Sequence, residues 1–399
     1  MGHMPRSTAP SPSNTTSGHV LQLIRTGDAV TRAEIGRVTG LSRPAVAARL
    51  AELMARGLVS EGSQGPSSGG RPPGRLEFNA GGGVVLTAAL GISRSQFAVC
   101  DLAGHVLAHT SGSPKVEQGP SIVVPWLLDT WEELLAKAGR NADEVWGAGI
   151  GVPGTVEFAT GRAASPPVLA SWGGVEIRPM VAERFRVPVL LDNDVNVMAL
   201  GEHWARHRET VDDLIFVKVS TGIGAGIVSD GAILRGSLGA AGEIGHIPVH
   251  DGGGTPCRCG NTDCLEAVAG GPALLRHLAA LDRNVTGIRE LAALAQEGDP
   301  EAVRLVRDAG RRIGEVLSGA VNLLNPAVIV LGGDLALAYD HLVAGVREVV
   351  FQRSTALATR QLRVVPSRLE DDAGPLGCAV MVLERLLAPE AINAELARS

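Results

Sequence analysis

From His19 to Val59 apolar positions recur every three or four residues: Val20, Leu21 and Ile24, then Ile35 and Val38, then Val46, Leu50 and Leu53. That period turns one face of each of three short helices toward a common core. Thr31 followed by Glu34 is a capping box that starts the second helix near Arg32, and Gly40 stops it. Ser42 caps the third, with Pro44 in the first turn, where its missing N–H costs nothing. GLVSEGSQ and GRLEFN then read as a two-stranded wing on either side of GPSSGGRPPGR. After residue 83 short β-rich runs alternate with helices. VVLTAAL, FAVCDL and HVLAHT predict a meander of three strands, SIVVPWLLDTWEELLAKAG a helix, and VWGAGIGVPG a buried strand entering a glycine loop. The order returns in DLIFVKVSTGIGAGIV, GAILRG, a long helical region and AVIVLGGDLA. Two halves that each begin with a meander predict a bilobed α/β body with a cleft between the lobes.

A chain of 399 residues has room for such a division. Residues 1–17 read as a cloning remnant (MGHM) and a disordered Pro/Ser/Thr-rich stretch, 18–80 as a winged helix-turn-helix with its linker. Residues 81–195 read as the first lobe and 196–399 as the second, with the last helix free to return to the first lobe. Charge sharpens this picture. Residues 1–80 hold nine arginines against five acids, a surplus of +4, so the remainder carries −10 of the net −6. A basic head on an acidic body points to a polyanionic partner for the head. In double-stranded DNA the contacts would come from Ser42, Arg43, Pro44, Ala45 and Arg49 at the start of the third helix. GGRPPGR either feeds Arg71 into a narrow minor groove or is a flexible connector. No apolar run is long enough to span a membrane and no signal peptide opens the chain, which with the clustered cysteines points to a cytoplasmic protein.

Of five cysteines, three fall within eight residues, Cys257-x-Cys259-x4-Cys264, with His246 eleven positions upstream of the first. One imidazole nitrogen and three thiolates suit a tetrahedral Zn²⁺ in a closed structural site. Cys100 and Cys378 sit in apolar runs and read as core residues. The metal would clamp the loop between Glu243 and Glu266, fixing two carboxylates relative to each other.

The body resembles the ROK family (repressors, open reading frames and kinases of sugars), and with the head attached the chain resembles that family's sugar-responsive transcriptional regulators. The resemblance rests on GIGVPG at 149–154, LDNDVNVMALGE at 191–202, STGIGAGI at 220–227, GEIGH at 242–246, CRCGNTDCLE at 257–266 and NPAVIVLGG at 325–333, in the family's order and spacing. It implies an actin/hexokinase-type fold and the zinc site. It also implies a sugar pocket lined by Asn193, Asp194, Glu243, His246 and Glu266, with Asp194 matching the kinases' catalytic base. His246 would serve both metal and sugar. Val168 stands where the family often has an asparagine near the sugar, which leaves the sugar unnamed.

The kinases' first phosphate loop is degenerate here: Ala89 replaces an acid, and Ile92 and Ser93 replace a glycine and a threonine. Phosphoryl transfer needs a backbone cradle and a metal-bound nucleotide, so no catalytic residue is assigned. The expectation is a sugar-responsive regulator acting as a homodimer or homotetramer. It would bind operator DNA and respond to a sugar or sugar phosphate. Two alternatives remain: an ATP-dependent sugar kinase with an accessory head, and a DNA-binding protein with a vestigial pocket.

Overall fold

The computed structural model describes residues 15–62, 74–113, 115–163 and 170–398. The head is three helices, Ser17–Thr26, Arg32–Thr39 and Arg43–Ala55, and a strand pair, Val59–Glu61 against Leu76–Phe78. Thr31 caps the second helix by accepting from the Glu34 N–H at 3.2 Å. The Glu34 carboxylate returns to the Val30 N–H at 2.9 Å, one residue short of the reciprocal capping partner. Gly40 ends the helix at φ 74°, a left-handed cap that a side chain would strain. One core expectation fails: Val38 is 42% exposed and Thr39 is buried instead. The Thr39 hydroxyl is satisfied inside the helix by the Ile35 carbonyl at 2.6 Å, so its burial leaves no polar atom unpaired.

The body holds two five-stranded sheets of one topology. In the first, Val106–Gly112, Ser95–Asp101 and Val84–Ala89 run antiparallel in that order, and Val145–Val152 and Val189–Asn193 continue parallel to the last. In the second, Ala232–Ile233, Ile223–Ser229 and Leu214–Val219 are antiparallel, and Val328–Gly332 and Arg363–Pro366 follow in parallel. STGIGAGI is therefore the turn and second strand of a hairpin. Pro120–Ala138 covers the first sheet, its Trp131 indole donating to the Thr87 carbonyl at 2.9 Å. The 25-residue helix Pro300–Leu324 packs against Tyr339–Arg353 beside the second.

Between the lobes lies the helix Asp194–Glu202, pressed on both sides by glycines. A Cβ at Gly226 of the second sheet would stand 2.5 Å from the Ala199 Cβ. On the other side the helix Ala373–Leu386 crosses so closely that a Cβ at Gly377 would stand 1.6 Å from the Val197 carbonyl oxygen. The same helix packs against the first sheet: Cβ atoms at Gly147 and Gly149 would meet Val382.

The chain's end also seats the head. Val20, Leu21 and Ile24 share one core cluster with Val382, Leu383, Leu387 and Ile392. The Gly18 N–H donates to Asn393 Oδ1 at 2.8 Å, and a Cβ at Gly18 would stand 2.1 Å from the Pro389 carbonyl oxygen. Arg56 pairs with Glu395 at 2.6 Å. Fully buried Val, Leu or Ile side chains each contribute about 1.5–3 kcal/mol, against roughly 0–1 for an exposed ion pair. Apolar packing therefore holds the head on the first lobe.

Candidate functional site

The five residues expected at a ligand pocket all line one cavity between the lobes. Each is placed by a backbone device. Asn193 ends a strand of the first sheet, and its Oδ1 caps the helix beginning at Asp194 by accepting from Val195 and Asn196 N–H at 2.8 and 3.2 Å. Its Nδ2 donates to the Gly154 carbonyl at 2.8 Å, so the amide shapes the wall and is already engaged. Glu243 follows Gly242, whose φ of 93° and approach to the Ala225 carbonyl (1.8 Å to a built Cβ) admit only glycine. Thr155 Oγ1 donates to Glu243 Oε1 at 2.9 Å. Glu266 opens the helix Leu265–Ala269 and accepts from the Ile223 N–H at 3.0 Å. Gly222 leaves room for that carboxylate (2.5 Å from a built Cβ to Glu266 Oε2). The glycine loop thus gives its Ile223 amide to a carboxylate.

Two cations escaped the sequence reading. Lys218, on a central strand, forms an ion pair with Asp194, and Arg258 forms one with Glu266. Lys218 is one of three lysines in the chain, and Arg258 stands between two expected metal ligands. Those were the available signals, but neither tells which way the side chain turns.

His246, Cys257, Cys259 and Cys264 bring their ligand atoms within 4.8 Å of one another. The Cys259 and Cys264 sulfurs are 3.6 Å apart, and Cys257 Sγ is 3.5 Å from His246 Nδ1. A tetrahedral zinc with Zn–S near 2.3 Å and Zn–N near 2.05 Å requires about 3.8 and 3.6 Å. The set fits a metal ion. Gly260, at φ 94°, makes the knuckle between Cys257 and Cys264. The Asn261 backbone holds the Cys259 thiol below the usual thiol range. His246 Nε2 lies 4.0 Å from Glu243 Oε2, on the ring edge opposite the cysteines. Cys100 and Cys378 are buried away from this cluster, and burial pushes the Cys100 thiol up to about 12.

A larger cavity of about 380 Å³ adjoins the first and shares two lining residues with it, Asp194 and Lys218. Ala89 and Ser93 line this cleft, while Ile92 faces the smaller cavity. Arg289 of the second lobe bonds Asp334 at 2.7 Å and Asp371 at 2.8 Å, and Asp371 also pairs with Arg94 of the first lobe. Burial disfavours the Asp334 carboxylate, but hydrogen bonds from Ser220 and Arg289 outweigh it and hold its pKa below the usual range.

On the head, Ser42, Arg43 and Pro44 are exposed at the start of the third helix and Ala45 is half-buried. Ser42 Oγ accepts from the Ala45 N–H at 3.4 Å, and Arg49 lies 3.5 Å from Glu52 of its own helix. Arg71 and Val168 lie outside the described residues.

Residues 86–385 match the model of the ROK family and residues 14–66 that of the MarR family. The chain belongs to the ROK family. A xylose repressor of Caldicellulosiruptor bescii is 31% identical over 92% of this chain and 95% of its own length. Among solved structures, a ROK family transcriptional regulator homologous to the E. coli MLC protein superposes with a TM-score of 0.81. It is 27% identical and covers 97% of this chain and 99% of its own. A ROK family glucokinase from Streptomyces griseus, solved with glucose and AMPPNP, has a TM-score of 0.62 at 27% identity. It covers 75% of this chain and 99% of its own. The regulator thus spans essentially the whole of this ROK chain, the glucokinase three quarters of it. The winged helix-turn-helix joined to an actin-like α/β body makes this a transcriptional regulator of the family. Among the described residues no helix is long and apolar enough to cross a membrane.

Proposed function

We propose that this ROK protein is a sugar-responsive repressor of carbohydrate genes, binding operator DNA through its head and changing that binding when a sugar fills the smaller cavity. One observation carries the reading: polar groups from both lobes converge on a cavity in a chain whose head shares a core cluster with the first sheet and the C-terminal helices. Asn193 and Asp194 come from the strand and helix at the first lobe's edge, Glu243, His246 and Glu266 from the second. A ligand held by both sets favours one lobe arrangement, and only such differential affinity can move an equilibrium. Asp194, Glu243 and Glu266 would accept hydrogen bonds from hydroxyls, and His246 Nε2 faces the same space.

The His246, Cys257, Cys259 and Cys264 set would hold a structural Zn²⁺, which supplies rigidity. This chain's residues do the rest: Nδ1 turns to the thiolates, Nε2 to the ligand, and the loop fixes Glu243 and Glu266. Ser42, Arg43, Pro44, Ala45 and Arg49 would meet the DNA, with Arg71 from the linker reaching the minor groove. Two heads in a homodimer or homotetramer would read half-sites about 34 Å apart or a multiple of it. Lobe rotation that alters their spacing weakens simultaneous contact. DNA fragments selected by the protein from a random library, titrated with and without D-xylose and N-acetylglucosamine, test the reading. A sugar-dependent change of fivefold or more in affinity supports it, and no change with any sugar that binds refutes the switch.

The retained Asp194 and the open 380 Å³ cleft favour a second reading, a sugar kinase. Against it stand Ala89 at the cleft wall and the Lys218 ammonium on Asp194. Sugar-dependent ADP release would decide for the kinase.

A further inference from the structure

The two interlobe cavities meet at a single pair of side chains. Asp194 and Lys218 line both, and no other residue among those described does. Lys218 rises from the strand Leu214–Val219 with its side chain 21% exposed, and its Nζ is hydrogen-bonded to Asp194 Oδ2. This ion pair is the lining that the smaller cavity and the cleft have in common. The other walls of the smaller cavity leave little room for movement. A Cβ on Gly242 would collide with the Ala225 carbonyl and one on Gly222 with the Glu266 carboxylate, and Asn193 is held by three hydrogen bonds. The cavity itself is small, about 80 Å³ against about 380 Å³ in the cleft.

A pyranose in this cavity would present ring hydroxyls to Glu243, Glu266 and His246 and approach Asp194 and Lys218 at its cleft end. There a ring hydroxyl can donate to the carboxylate and accept from the ammonium at once. An exocyclic hydroxymethyl arm turned toward that end would compete for space with the ammonium held on Asp194. Swinging the ammonium aside breaks a charge-assisted bond in a half-buried site.

Resting on the sugar-sensor reading above, we propose that Lys218 is a specificity-determining residue that selects a pentopyranose and rejects the hexopyranose of the same ring stereochemistry. D-Xylose and D-glucose are the natural probes, since they differ only by the exocyclic arm. A missing or extra group of that size is worth about 1–3 kcal/mol in a fitted pocket, or 10- to 200-fold.

Calorimetric titration of the full chain with D-xylose, D-glucose and D-glucose 6-phosphate tests this, in the native protein and in Lys218→Ser. The native protein should bind xylose at least tenfold more tightly than glucose. In Lys218→Ser, where the arm gains room, the ratio should fall severalfold through tighter glucose binding. A lysine that only stabilised the fold would move both sugars together. Equal binding of xylose and glucose by the native protein overturns the proposal and leaves the sensor reading standing. So does tightest binding of glucose 6-phosphate, which would make Lys218 an anion anchor. If Lys218→Ser does not fold, the native ratio still decides. Binding of none of the three sugars overturns the proposal together with the pentose and hexose sensor reading beneath it.

Discussion

At the scale of single residues, the cluster of His246, Cys257, Cys259 and Cys264 proposed to hold zinc makes the sharpest prediction. The purified protein should contain about one zinc per chain by elemental analysis. Cys259→Ser should lose most of it and weaken sugar binding tenfold or more, because Glu243 and Glu266 are then no longer held in register. Glu384 offers a test of pH. It sits on the helix Ala373–Leu386, and burial raises its carboxyl pKa, opposed by the fields of Arg235 and Arg25. A carboxylate whose folded pKa exceeds its unfolded value binds more protons when folded. Stability therefore falls as pH rises from the unfolded pKa, near 4.5, through the folded one. Glu384→Gln should raise the melting temperature at pH 8 and leave it nearly unchanged at pH 4.

At the scale of elements, the helix Asp194–Glu202 joins site to scaffold. Its N-terminus carries Asp194, its flanks touch both lobes, and Gly377 lets the helix Ala373–Leu386 cross it at contact distance. Gly377→Ala places a methyl 1.6 Å from a carbonyl oxygen, in a crossing of two backbones that cannot yield locally. Overpacking of this kind costs roughly 3 kcal/mol or more, which urea unfolding would register. Much at this scale was legible in the sequence. Caps at Thr31 and Ser42 and the cysteine spacing are local signals, and local signals survive in a one-dimensional reading. Lys218 and Arg258 were not legible, since a charged residue in a strand or loop points inward only when the sheet's register or the knuckle's turn directs it. The Val38 and Thr39 exchange was missed because helical periodicity tolerates either residue on the inner face. The hydroxyl's bond to Ile35 decided it.

At the scale of the whole molecule, the proposed link from cavity to head would run through contacts between residues far apart in sequence. Gly18 bonds Asn393, and the head's core closes only with Leu383, Leu387 and Ile392. No pattern along the chain announces such a seat, which explains why the sequence suggested only a returning C-terminal helix. Loosening the seat's apolar contacts should uncouple the two functions. Leu387→Ala combined with Ile392→Ala should leave sugar affinity within about twofold while reducing the sugar-induced change in DNA affinity severalfold. Coupling of this kind is typically worth about 1–3 kcal/mol.

The central claim is that a ligand closing the interlobe cavity alters how the head meets DNA. Its most direct measurement is the affinity of the full-length protein for a DNA site it has itself selected, without sugar and with the tightest-binding sugar at saturation. A change of fivefold or more, lost in Glu243→Ala when that variant no longer binds the sugar, is the predicted result. Identical DNA affinity with the cavity empty and saturated would contradict it.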